Sequence, residues 1–178
     1  MIITYQGGAS FKISQGDLSL AINPKSKTAA DITLFTTGKE ETSDKSGFVI
    51  TGPGEYEIKD VFIKGFLSKA KDRLNTIYMI SFEGMKLCFL GQLATPELKA
   101  EVLEKLEDID ILFTPTDAYK LAVSLEPAII IPANYNPTSL SQFLKEGGES
   151  KAESLDKLVV KKKDLEGKKG EIVVLKEE

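Results

Sequence analysis

The side chains with reactive or ligating potential gather in one place. The segment TTGKEETSD, Thr36 to Asp44, follows the apolar run Ile32 to Phe35 and places one ammonium, three carboxylates and several hydroxyls in a single loop. Two chemistries fit those types. Lys39 and Glu41 could act as base and acid if burial lowered the lysine toward neutrality, although a carboxylate two residues away favours the charged ammonium. Glu40, Glu41 and Asp44 could hold a hard cation such as magnesium or calcium through oxygen, while the ordinary reading of three loop acids is a solvated surface. One absence narrows the field: the chain has no histidine. Ser–His and Cys–His nucleophile couples are therefore excluded. The single cysteine, Cys88, lies in the apolar stretch KLCFLG and reads as a buried, inert thiol.

Other motifs carry less chemistry. Glu55 and Glu57 alternate with Tyr56 and Ile58 after the Gly52-Pro53-Gly54 turn, so both carboxylates share one face of a strand. That spacing suits an acid/base pair, but period-two charge is what any half-exposed strand shows. GGAS and GPGEYE lack the glycine spacing and lysine of a phosphate loop. Lys161 to Lys163 stand among acids and read as a solvated turn.

The elements that must position these residues change character along the chain. Up to Gln92 the apolar residues alternate or run together between Gly, Pro, Asn and Asp, predicting strands at Ile2–Tyr5, Ser10–Ser14, Leu18–Ile22, Ile32–Phe35, Phe48–Thr51, Glu55–Ile58, Val61–Leu67, Thr76–Phe82 and Lys86–Leu90. These read as one twisted, mostly antiparallel sheet. Beyond Gln92 strand and helix alternate. TPELKAEVLEKLED predicts an amphipathic helix with Thr95 as N-cap and Pro96 at its first position. DIDILFTP and AIIIPAN predict buried strands, DAYKLAVSLEP a short helix, and TSLSQFLKEGG a capped helix closing on Gly147. The apolar cores Leu158–Val160 and Ile172–Leu175, around a charged turn, predict a terminal hairpin.

The totals bound the function. At 178 residues and 42% hydrophobic content the chain is one domain with a real core, expected to span 1–178. A net charge of -4 offers no basic face for nucleic acid or acidic lipid. No apolar run reaches the roughly 20 residues that span a bilayer, and no basic n-region or apolar h-region leads the chain, so a soluble cytoplasmic protein is expected.

Six fragments, taken in order, resemble the metallo-β-lactamase superfamily, in its small single-domain bacterial and archaeal branch. ITYQGGASFKI is similar to that family's opening Gly-His-Ala-x-Phe strand pair, LAINP to Ile-Asp-Pro, and ADITLFTTGKEET to the strand entering His-x-His-x-Asp-His. VITGPGEYEIKDVFIKG resembles a segment common in the branch. NTIYMISFEGMKLCFLGQL resembles the hairpin ending in Leu-Gly-Asp, and LEPAIIIPANY the late strand ending in Ile-Pro-x-His-Tyr. The resemblance implies an αββα sandwich of two mixed sheets flanked by helices, with zinc held by loops at one edge to activate a water.

Carried over position by position, the resemblance implies a degenerate site. Gly8 stands at the opening His and Asn23 at the Asp of Ile-Asp-Pro. Thr37, Lys39, Glu41 and Thr42 fill the main loop, Gln92 stands at the bridging Asp, and Asn134 at the final His. Only Glu41 keeps a ligating charge. Hydroxyls and amides bind zinc poorly and an ammonium is repelled by it, so no zinc and no cofactor are expected. Asn at 23 and Gln at 92 also remove carboxylates that would be costly to bury without a metal, and Lys39 would partly stand in for the lost charge beside Glu41. The expectation is a pseudoenzyme of this fold, a scaffold or binding module for a small polar or anionic ligand at the vacated cleft. The alternative is a hydrolase of the same fold using another metal or a metal-free Lys39/Glu41 site. A homo-oligomer stays open, with no patch marked for it.

Overall fold

The computed structural model describes residues 1–26, 28–38, 47–149 and 152–178. Strands come first: β1 (Ile2–Tyr5), β2 (Phe11–Gln15), β3 (Leu18–Ile22), β4 (Ile32–Leu34), β5 (Phe48–Ile50), β6 (Gly54–Ile58), β7 (Val61–Lys69), β8 (Leu74–Phe82) and β9 (Met85–Phe89). Mixed elements follow: α1 (Ala100–Leu103), β10 (Ile111–Pro115), α2 (Tyr119–Ser124), β11 (Ile129–Ala133) and α3 (Pro137–Glu146). Four short strands close the chain: β12 (Ser154–Leu155), β13 (Leu158–Val159), β14 (Glu171–Ile172) and β15 (Val174–Leu175).

The strands form two large mixed sheets. The first has the order β13-β1-β2-β3-β4-β5, antiparallel from β1 to β3 and parallel from β3 to β5. The second runs β14-β11-β10-β9-β8-β7-β6, antiparallel among β6 to β9 and parallel from β9 through β14. The nine strands expected before Gln92 are all present, but they do not make one sheet. Gly52 and Pro53, between β5 and β6, carry the chain from the first sheet to the second, and Pro cannot donate to a ladder that would continue across it.

Period two explains how the layers pack. Ile3, Phe11, Ile13 and Leu20 of the first sheet meet Ile63, Tyr78, Ile80 and Phe113 of the second in one buried cluster between the sheets. The alternate residues of the second sheet, Ile77, Met79, Cys88, Leu112 and Ile130, face away and bury against Val102 of α1, Leu121 and Ala122 of α2, and Phe143 of α3. The helices thus sit on the outside of the second sheet, completing an α/β sandwich of two mixed sheets. Cys88 is fully buried there, and burial pushes its thiol well above the usual range, as expected for an inert core cysteine. Glu55 and Glu57 are exposed, with Glu55 3.4 Å from Lys64 on the neighbouring strand, which makes them a polar strand face.

Helix α3 closes on Gly147 as predicted, but it opens at Pro137, ahead of the expected Thr138, with Asn136 as its cap. Asn136 accepts from the Ser139 amide at 2.9 Å, Ser139 returns the bond to the Asn136 amide at 3.1 Å, and Pro137 follows the cap. Two other expectations are corrected. The helix expected from Thr95 shrinks to Ala100–Leu103, preceded by an extended Lys99. A short isolated helix is marginal, and packing decides its length: Leu98 is held against the second sheet's outer cluster ahead of the helix. The terminal hairpin does not form either. Leu158–Val159 pairs with β1 of the first sheet, while Glu171–Ile172 joins β11 of the second. Each apolar core completes a larger sheet edge, which buries more than pairing with the other would. No described helix is long and apolar enough to cross a membrane.

Asp31 ties the first sheet to the β6–β7 turn. Its carboxylate accepts from the Ser19 amide and hydroxyl, each at 2.9 Å, and from the Lys59 ammonium. Lys59, then Ser19, lower its pKa from 3.8 to about 2. Because the folded value lies below the unfolded one, its stabilisation is complete above the unfolded value and is lost as pH falls through the folded one. With half-exposed Lys59 screening the pair, Asp31→Asn should cost about 1–2 kcal/mol near pH 6 and only a small fraction of that near pH 2. Urea unfolding of both proteins across that range checks it.

Candidate functional site

The loops after β1, β3, β4, β9 and β11 all emerge at one edge of the two sheets, and they hold the positions at issue. The turn after β1 carries Gly7 and Gly8 at φ +79° and +62°, a region open to glycine at no steric cost. The Gly8 carbonyl accepts from the Asn134 amide at 2.5 Å and from the Tyr5 hydroxyl at 2.9 Å. Asn23 and Asn134 also have positive φ, +45° and +54°, which asparagine tolerates better than other side-chain-bearing residues. Backbone conformation alone therefore favours asparagine at both strand ends.

The Asn23 carboxamide is consumed internally. Its NH2 donates to the Ala9 carbonyl at 3.2 Å and the Thr36 hydroxyl at 3.1 Å, and its oxygen accepts from the Thr36 amide at 2.8 Å. A carboxylate at this position would set an oxygen against the Ala9 carbonyl with no donor between them. Sequence reading missed a second amide of the same kind. Asn75, fully buried, donates to the Leu90 carbonyl at 2.8 Å and the Ser68 hydroxyl at 2.7 Å, while its oxygen accepts from the Gln92 amide at 3.1 Å. The only sequence signal for it is an uncharged polar residue opening the apolar run NTIYMISF.

Gly91 lies between Asn75 and Thr36, the partner of Asn23. It has φ +68°, and a Cβ there would lie 2.3 Å from the Asn75 oxygen and 2.9 Å from Thr36 Cβ. The Thr76 amide donates to the Thr36 carbonyl at 2.6 Å, and the buried Tyr78 hydroxyl lies 3.1 Å and 3.2 Å from the carbonyls of Phe35 and Gly52. Burial raises the Tyr78 pKa, so the phenol stays neutral and can donate. Beneath this layer Phe89 stacks on Phe113 at 3.9 Å and Phe11 meets Phe113 edge-on at 4.8 Å. The space left between Asn23, Thr36, Gly91 and these rings is about 10 Å³. That is room for about one water and no more.

Of the expected site residues, the fold brings Gly8, Asn23, Gln92 and Asn134 to one edge through this network, with Thr37 beside them as the neighbour of Thr36. Lys39, Glu41 and Thr42 lie outside the described residues, as do Glu40 and Asp44 of the hard-cation alternative. Asn23 faces inward as a structural clamp, whereas Gln92 and Asn134 are exposed on the rim. A cation that sequence reading passed over joins them: Lys25 lies across the Gly7–Gly8 turn, 2.8 Å from Glu177. Gly7 is needed for that contact, because a Cβ would overlap the Glu177 carboxylate. Tyr5 and Tyr135 stack behind it at 5.4 Å, and burial, then the neighbouring phenol, raises Tyr5 to about 12.

The donor set does not fit the zinc that the fold implies. Gly8 offers no side chain, Asn23 is committed, and Thr37, Gln92 and Asn134 are neutral. Among the described residues no three His, Cys, Asp or Glu side chains converge on a metal-sized space.

Comparisons with known proteins place this arrangement. Residues 2–134 match a family described as Beta-lactamase superfamily domain. A comparison with curated proteins finds no match. Among solved structures the chain is similar to a Thermotoga maritima protein of the metallo-β-lactamase superfamily, at 24% identity and a TM-score of 0.82 over 98% of this chain and 97% of that one. It is similar also to an isothiocyanate hydrolase from Delia radicum gut bacteria, at 11% identity and a TM-score of 0.65 over 99% and 97%. The metallo-β-lactamase fold protein YhfI from Bacillus subtilis aligns at 9% identity and a TM-score of 0.62 over 99% and 96%. The family match, covering most of the chain, and the sandwich it folds into agree: this protein belongs to the β-lactamase superfamily, with the metallo-β-lactamase fold.

Proposed function

We propose that this protein is a non-hydrolytic member of its family, a binding or scaffold module that works without metal. The observation that carries the reading is the Asn23 clamp: a strand-end residue that would ligate as Asp is an amide with all its bonds made inside the fold. Gln92 and Asn134 are exposed neutral amides beside it, and the chain has no histidine to complete a zinc set. The closed floor directs any ligand to the rim, where Gly8, Thr37, Gln92 and Asn134 stand with Lys25 close by. Amides, the Thr37 hydroxyl and the Lys25 ammonium there suit a small polar or anionic ligand.

The names of structural neighbours favour a second reading. The isothiocyanate hydrolase is an enzyme, and the Thermotoga protein is described as zinc-dependent. A hydrolase of this chain would need another metal held through Glu40, Glu41 and Asp44, or a metal-free Lys39/Glu41 couple.

One experiment separates the two. Untagged protein is assayed for metal by mass spectrometry, and its unfolding is followed with zinc, manganese, magnesium and calcium. The binding-module reading expects no stoichiometric metal, an unmoved Tm and no turnover of generic ester, phosphodiester or lactam reporters. Bound metal, a Tm rise, or turnover abolished by Glu41→Gln or Lys39→Ala would overturn it.

A further inference from the structure

We propose that the groove between the β7–β8 hairpin tip and the segment leading into α1 binds an amphipathic anion, an alkyl chain ending in a carboxylate. This goes beyond the metal-free reading and does not depend on it, because no residue of the vacated cleft lines the groove.

The groove holds about 430 Å³, within the range of small-molecule sites. Its walls are Leu67 and Leu74 on one side and Leu93, Leu98 and Val102 on the other. Leu67 and Leu74 are 53% and 62% exposed, an arrangement that costs solubility unless something covers them. The walls are fixed relative to one another before any ligand arrives. The Ala94 amide donates to the Lys69 carbonyl at 2.8 Å, and Ser68 bonds Asn75, whose oxygen holds the Gln92 amide. A preformed apolar slot loses little entropy on binding.

The charge at its mouth selects the head group. Lys69 lines the groove, and among the described residues its ammonium has no ion-pair or hydrogen-bond partner. The other charged groups on the lining are Glu97, which has no ion-pair partner among the described residues and offsets part of the positive charge, and Lys99, which lies 3.7 Å from Glu101. Lys69 opens the tip sequence Lys-Ala-Lys-Asp-Arg, a local excess of positive charge on a chain whose net charge is -4. An apolar slot with Lys69 on its lining and a positively charged hairpin tip beside it fits a medium-chain carboxylate, with the tail between the leucines and the head on Lys69.

The test is calorimetric titration of the full chain with octanoate, 1-octanol and octylammonium, alongside Leu74→Ser and Lys69→Gln. Both substitutions are at the surface, and thermal unfolding confirms that each variant folds. Expected is one saturable octanoate site, weaker octanol binding and weakest octylammonium binding. Leu74→Ser should weaken octanoate and octanol by about tenfold. Lys69→Gln should weaken octanoate by about two- to fivefold and leave octanol unchanged. No saturable octanoate binding, equal binding of octylammonium, or octanoate binding that Leu74→Ser leaves intact would overturn the assignment. A dimer that octanoate fails to dissociate and Leu74→Ser converts to monomer would give the groove to a second copy of the chain and overturn it as well.

Discussion

Phe113→Ala should destabilise the protein by about 3–5 kcal/mol, lowering Tm by roughly 6–20 °C. Phe113 lies on β10, is 2% exposed, and stacks on Phe89 while meeting Phe11 edge-on, so one ring joins the two sheets directly under the loop layer. Truncation leaves a void that relaxation cannot fill, because the facing rings belong to different sheets held at their own spacing. The cavity would open into the small space beneath Asn23 and Thr36, making room where there is now about 10 Å³. Guanidinium unfolding measures the loss. Phe113→Leu, which keeps most of the volume, should recover more than half of it. Equal losses in the two variants would show that aromatic geometry rather than filled volume sets the stability of this layer.

Asn75→Ala should cost about 2–4 kcal/mol, although it removes only a small side chain. The amide donates to Leu90 and Ser68 and accepts from Gln92, and it is fully buried, so no water can substitute for it without new space. Deleting it strands a backbone acceptor and a backbone donor at once, and each stranded group costs its own desolvation. Asn75→Asp should be at least as damaging at neutral pH, since it keeps the shape but turns a donor toward the Leu90 carbonyl into a carboxylate oxygen. Hydrogen exchange of the Gln92 amide gives the local readout. An amide that stays as protected in Asn75→Ala as in the parent would mean that Gln92 is held by something else.

The sequence makes strands legible and their partners obscure. β1 to β9 announce themselves by alternation, because each buries one face and a slip of one residue would turn that face to water. The crossing from one sheet to the other at Gly52-Pro53 leaves no such mark, since a turn looks alike whether the chain doubles back or changes layer. The closing strands β13 and β14 are two residues each, too short for any period, and their partners β1 and β11 lie far away in sequence. Helix α1 carried a persuasive cap signal at Thr95-Pro96, yet packing of Leu98 overrides it. At the site, the legible part was negative. Missing histidines and missing acids can be read residue by residue, and Gly8, Asn23, Thr37, Gln92 and Asn134 do come together. What holds this edge together cannot be read, because the bonds of Asn23 and Asn75 run largely to backbone groups, which look the same in every sequence.

The pairing of β13 with β1 has a kinetic consequence. Ile2 faces Val159 across the first sheet, so β1 waits for a strand far later in the chain to complete its ladder. Until then β1 has an open edge, and the apolar face of its sheet is covered only by what has folded so far. Contacts of such long sequence separation slow folding, and a chain released early would carry an unpaired edge strand prone to aggregation. Removing residues from Lys157 onward should therefore yield insoluble protein rather than a smaller folded one, while the site loops, all upstream, would be chemically intact and never assembled.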